Sequence, residues 1–87
     1  MGQHSGFFLV LGTRIKSLRK ARRLTQEDMI SHGFSARHWQ MIEAGRPITL
    51  ETLLRICDVL AATPEELLGG IYAEFHSPPG LEEGRKD

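Results

Sequence analysis

Thr25, Ser35, Thr49 and Thr63 each stand directly ahead of a short segment with helical patterning, and Gly33, Gly45 with Pro47, and Gly69-Gly70 close segments behind them. Hydroxyl side chains in this position accept hydrogen bonds from the free N–H groups of a helix's first turn, and glycine just past a helix adopts the left-handed turn that ends it. A chain punctuated so closely has no room for long helices after its first. No run alternates apolar and polar residues with the period of two that a half-buried strand needs. The expected fold class is therefore all-α, a compact five-helix bundle with short connections.

Within that frame, Leu11, Ile15 and Leu18 place a first helix from near Phe8 to Arg22, with Phe7 to Val10 left open. A second runs from Gln26 to about Ser31, with Glu27 and Asp28 in its first turn, where the helix dipole favours acids. The third spans Ala36 to Ala44. Behind Thr49, Leu50, Leu53, Leu54, Cys57 and Leu60 form the expected apolar stripe of a fourth helix. Thr63-Pro64-Glu65-Glu66 reads as a capping box with proline at the first helical position, opening a short fifth helix. This divides the chain into a flexible lead (1–6), a helical domain (7–69) and a tail (70–87) rich in Pro, Gly and charge, mostly disordered and wholly so beyond Phe75.

With 87 residues the chain makes one domain, too small for a large enclosed active site. Its formal net charge of zero argues against a polyanionic partner until the distribution is considered. Arg14, Lys16, Arg19, Lys20, Arg22 and Arg23 fall in residues 1–24 without a single acid, whereas residues 47–87 are strongly acidic, so the molecule is polarised. Cys57 is alone, which excludes an intramolecular disulfide and fits a reducing cytoplasm. His4, His32, His38 and His76 lack metal-ligand spacing, and no phosphate loop, nucleophile elbow or carboxylate pair with a cleft to face is discernible. The expectation is a protein that is not an enzyme and takes no metal, cofactor or small-molecule ligand. Phe7 to Leu11 is too short a run to cross a membrane.

Two short helices joined by a glycine turn, the second capped by serine, are the local signature of a helix-turn-helix. Leu18-Arg19, Leu24-Thr25-Gln26-Glu27, Gly33-Phe34-Ser35, Trp39, Ile42-Glu43-Ala44-Gly45-Arg46, Leu50-Glu51-Thr52-Leu53 and Leu60 occur in one order at fixed offsets. From Leu11 to Leu68 the chain resembles the Cro and phage-repressor-like (XRE-type) helix-turn-helix transcriptional regulators. The resemblance implies a lambda-repressor-like DNA-binding domain, bacterial or phage-encoded, cytoplasmic and nucleoid-associated. One departure is plain: the interval from Gln26 to Gly33 is a residue shorter than the family's usual one, so the second helix is shorter or its turn tighter.

Rotating the third helix by ~100° per residue puts Trp39 and Ile42 together toward the core. Arg37, Gln40, Met41 and Ala44 lie opposite, with Ala36 and His38 at the edges. Arg can bond guanine bidentately and Gln adenine, and the resemblance points to the same positions, so Arg37 and Gln40 are the expected base readers, with His38, Met41 and Ala36 beside them. Gln26 begins the second helix, where N–H groups and the dipole favour phosphate, and the resemblance makes it a phosphate clamp. Arg46, Ser35 and Arg14 are further expected phosphate contacts. Glu43 borders the buried face and needs a cation; the resemblance names Arg19, giving a structural salt bridge. Trp39 is expected in the core rather than stacked on a base, and Cys57 as a small buried hydrophobe.

The leading function is sequence-specific binding of double-stranded DNA as a transcriptional regulator. It would act as a repressor by occlusion and as a homodimer on an inverted repeat, because one short helix reads few bases. The alternative is a protein-interaction module of the same fold, antitoxin-like or an adapter, favoured by the zero net charge and the shortened second helix. Phe7, Phe8, Ile71, Tyr72 and Phe75 could pack on the core, form a dimer contact or dock a partner.

Overall fold

The computed structural model describes residues 4–71. It contains α1 (Ser5–Ala21), α2 (Gln26–Ser31), α3 (Ala36–Glu43), α4 (Leu50–Leu60) and α5 (Pro64–Leu68), and no strand among the described residues. α1 begins earlier than the pattern of Leu11, Ile15 and Leu18 indicated and takes in Phe7 to Val10.

Each expected N-cap is made. Thr25, Ser35, Thr49 and Thr63 accept from the backbone N–H groups of Asp28, His38, Thr52 and Glu66 at 3.0–3.1 Å. Thr63 and Glu66 complete the capping box, and Asp28 makes a second one by accepting from the N–H of Thr25 at 2.7 Å. Four helices also end alike. Arg23, Gly33, Gly45 and Ala61 take positive φ, and the N–H of the next residue bonds the carbonyl five positions back: Leu24 to Arg19, Phe34 to Met29, Arg46 to Met41, Ala62 to Cys57. This is the Schellman arrangement, which satisfies carbonyls that a helix end leaves without partners.

The core joins all five helices. Ile15 of α1, Met29 of α2, Trp39 and Ile42 of α3, Ile56 and Leu60 of α4, Leu67 of α5 and Ile71 are essentially inaccessible, with Leu11, Phe34, Leu53 and Cys57 close behind. The face of α4 differs from the expected stripe. Leu50 is 70% exposed and Leu54 46%, while Ile56, outside the stripe, is fully buried. The buried set Leu53, Ile56, Cys57 and Leu60 follows i, i+3, i+4, i+7 spacing; Leu54 lies on its flank, and Leu50 extends it past the end of the core. Ile71, assigned to the tail from its sequence, is buried in the core; Phe7 and Phe8 also pack against the core, their two rings edge to face with centroids 5.3 Å apart. Tyr72 and Phe75, and the disorder expected for most of the tail, lie outside the described residues.

Arg14 of α1 and Arg22, its C-cap, bind carbonyls elsewhere in the domain. Arg22 donates to Leu60 (2.8 Å) and Ala61 (3.2 Å) at the end of α4, and Arg14 donates to Leu67 and Gly69 at the end of α5. Cations at helix C-termini also complement the negative dipole end.

Candidate nucleic-acid interface

α2 is a six-residue helix, in keeping with the short Gln26 to Gly33 interval. Gly33 takes φ +103° to turn the chain, and the ring of Phe34 then enters the core 5.0 Å from Trp39. A side chain at Gly33 would be strained by that φ alone. The turn is further held by Arg55 of α4, which donates to the Gly33 carbonyl at 3.2 Å and lies 4.3 Å from the centre of the Phe34 ring. That is a cation–π contact combined with a hydrogen bond. Nothing in the spacing of Arg55 signalled this role, since both partners lie upstream of α3, Gly33 being 22 residues from Arg55.

α3 is pinned by a buried cluster around Glu43. Arg19 and Glu43 form the expected salt bridge, with side chains only 7% and 6% exposed. Arg19 Nε donates to Glu43 Oε2 at 2.5 Å and Nη2 to Oε1 at 3.3 Å, a bidentate pairing, while Nη1 donates to the Leu24 carbonyl at 2.8 Å. The indole N–H of Trp39 donates to the same Oε2 at 2.6 Å, and Gln26 Nε2 to Oε1 at 3.2 Å. Burial alone pushes the Glu43 carboxyl upward, but the hydrogen bonds from Arg19, Trp39 and Gln26 outweigh it and hold the group below the usual carboxylate range. Trp39 thus packs in the core as expected, and its N–H has a further use that residue spacing did not suggest. Gln26, expected on phosphate, is exposed and has one amide N–H on Glu43.

The outer side of α3 is open. Ala36, Arg37, Gln40 and Ala44 are exposed, and Met41 and His38 are half-buried, the latter with its ring 6.1 Å from Phe34. Among the described residues no hydrogen bond or ion pair engages the side chains of Arg37, Gln40 or Arg46. Ser35 uses its oxygen lone pair as the α3 cap and keeps its O–H available to donate. Arg14, the fourth expected phosphate contact, has Nη1 committed to the end of α5. No group of His, Cys, Asp and Glu among the described residues could hold a metal ion, and no described helix is long and apolar enough to cross a membrane.

The sequence model of a family described as a helix-turn-helix domain matches residues 10–68, and the chain belongs to that family. In helix-turn-helix proteins that bind duplex DNA the second helix of the motif enters the major groove, and its counterpart here is α3. No curated protein and no solved structure gives a match.

Proposed function

We propose that the protein is a sequence-specific transcriptional regulator of the Cro and phage-repressor type, reading double-stranded DNA with the exposed face of α3. Arg37 and Gln40 make the base contacts, with His38, Met41 and Ala36 against neighbouring base edges. Gln26, Ser35 and Arg46 donate to phosphates and set the register without reading sequence. The observation that carries this reading is the contrast within α3. Its inner side is anchored through Trp39, Ile42 and the Glu43 cluster, while Arg37 and Gln40 are exposed with no partner among the described residues. A fork-shaped donor and an amide held on a rigid helix suit major-groove edges. The protein acts as a homodimer on an inverted repeat and represses by occlusion, since one short helix distinguishes few base pairs.

The test is selection of bound duplexes from a randomised pool at moderate salt, with wild type and an Arg37→Ala, Gln40→Ala double variant in parallel. Wild type should enrich an inverted repeat and the variant should not. If neither enriches a sequence and retention is weak even at low salt, the regulator reading fails and a protein partner for this fold takes its place.

A further inference from the structure

The carboxylate of Glu43 receives four donors, two on each oxygen: Arg19 Nε and Trp39 Nε1 on Oε2, Arg19 Nη2 and Gln26 Nε2 on Oε1. That fills the lone-pair sites a carboxylate offers. Three of these donors come from buried side chains, and Arg19 is itself anchored to the Leu24 carbonyl. Glu43 is therefore fixed in place, and Gln26 is the exposed member of the cluster.

A carboxylate can only accept, so it takes the nitrogen end of the Gln26 amide and never its oxygen. This choice fixes which way the amide faces. The second N–H on the same nitrogen diverges from the first in the amide plane and carries no partner among the described residues. We infer that Glu43, held by Arg19 and Trp39, is the positioning residue for Gln26: by taking one amide N–H it keeps the other N–H, rather than the carbonyl oxygen, available to a DNA phosphate. The inference rests on the DNA-binding reading above. An amide without this hold can rotate by half a turn and present oxygen to an anion, and it loses rotamer freedom on binding. The acidic residue thus serves a polyanionic ligand without touching it, through the neutral side chain between them.

The experiment titrates the full ¹⁵N-labelled chain with a short duplex of mixed sequence at low salt and follows the two side-chain amide protons of Gln26. In parallel, the affinity of the same duplex is measured for wild type, Gln26→Ala, Glu43→Gln and the double variant. Phosphate contacts are independent of sequence, so the mixed duplex suffices. One Gln26 proton should stay in place on adding duplex while its partner shifts. Gln26→Ala should weaken binding about tenfold in wild type, as a hydrogen bond to a charged group does, and less than about twofold in the Glu43→Gln background. The inference is overturned if both protons move together, or if Gln26→Ala weakens binding equally in both backgrounds, since Glu43 would then only brace the helices. Should Glu43→Gln fail to fold, the wild-type titration decides. Failure of wild type to retain any duplex overturns the DNA-binding reading and this inference with it, an outcome distinct from retention with uncoupled effects.

Discussion

Gly12 of α1 lies directly against Ile42 of α3: a Cβ at Gly12 would sit 2.7 Å from the Ile42 carbonyl oxygen and 2.9 Å from those of the Glu43 carbonyl and the Gly45 N–H nitrogen. No real side chain fits there, because everything it would meet is backbone at the last turn of α3. The position where the candidate reading helix rests on α1 is therefore set by the absence of a methyl group.

Gly12→Ala gains helix propensity of about 1 kcal/mol, but forcing the two helices apart costs about 1–3 kcal/mol. The steric term should win, because backbone atoms cannot yield as a flexible side chain does. The expected outcome is a lower melting temperature together with weaker duplex binding, although Arg37 and Gln40 are untouched. Calorimetry and a binding isotherm check both parts; a variant as stable as wild type would refute the close approach.

The Glu43 cluster predicts an acid-side loss of stability. The folded-state carboxyl lies below its ordinary value of about 4.3, so its contribution is complete above that pH and is lost as pH falls through the depressed folded value. Asp28, lowered chiefly by the backbone N–H of Thr25 and also by its side chain, adds to stability with the same sign. Urea midpoints measured from neutral pH down to about pH 3 should decline, and the decline should be shallower in Glu43→Gln, which cannot titrate. Equal slopes in both proteins would remove Glu43 as a cause.

On α4 the two apolar sides should separate cleanly. Ile56→Ala empties a fully buried site and should destabilise by about 2–5 kcal/mol, whereas Leu50→Ala, at a 70% exposed position, should change stability by less than about 0.5 kcal/mol. Denaturant unfolding of the two variants measures the contrast, and comparable losses would put Leu50 back in the core.

Ala61 closes α4 at φ +52°, a conformation that costs an L-residue about 1–2 kcal/mol and glycine almost nothing. Ala61→Gly should therefore stabilise, by somewhat less than that because the unfolded chain also gains freedom. Its backbone carbonyl, which receives Arg22 Nη2, is retained. A lower melting temperature would contradict the left-handed assignment.

What could be read from the sequence follows the range over which each interaction acts. The N-caps of Thr25, Ser35, Thr49 and Thr63 were legible because donor and acceptor sit three residues apart, and the inward side of α3 because Trp39 and Ile42 share a helical face. The Arg19 to Glu43 pair, 24 residues apart, was reached through family resemblance, not through spacing. Which side of α4 is covered depends on how the other helices pack on it, so the stripe of Leu50, Leu53, Leu54, Cys57 and Leu60 takes in two exposed residues and omits the buried Ile56. The roles of Gly12, Arg55 and Arg22 depend on partners that only the folded chain brings near, whereas the Trp39 N–H meets Glu43 four residues along the same helix. For Arg37, Gln40, Ser35 and Arg46 the fold fixes exposure and internal partners.

Arg14, Arg19 and Arg22 place their guanidinium donors on carbonyls of Leu67, Gly69, Leu24, Leu60 and Ala61 or on Glu43, and the arginines bound only to carbonyls lose none of their charge by doing so. Coulomb fields reach across a Debye length, whereas hydrogen bonds need contact. On the DNA-binding reading proposed above, Arg14 and Arg22 would attract a polyanion at a distance while Arg14 Nη1 and Arg22 Nε and Nη2 stay bound within the fold. On that reading, long-range attraction and short-range contact would fall to different residues, and the rate of encounter and the lifetime of a complex would become separable.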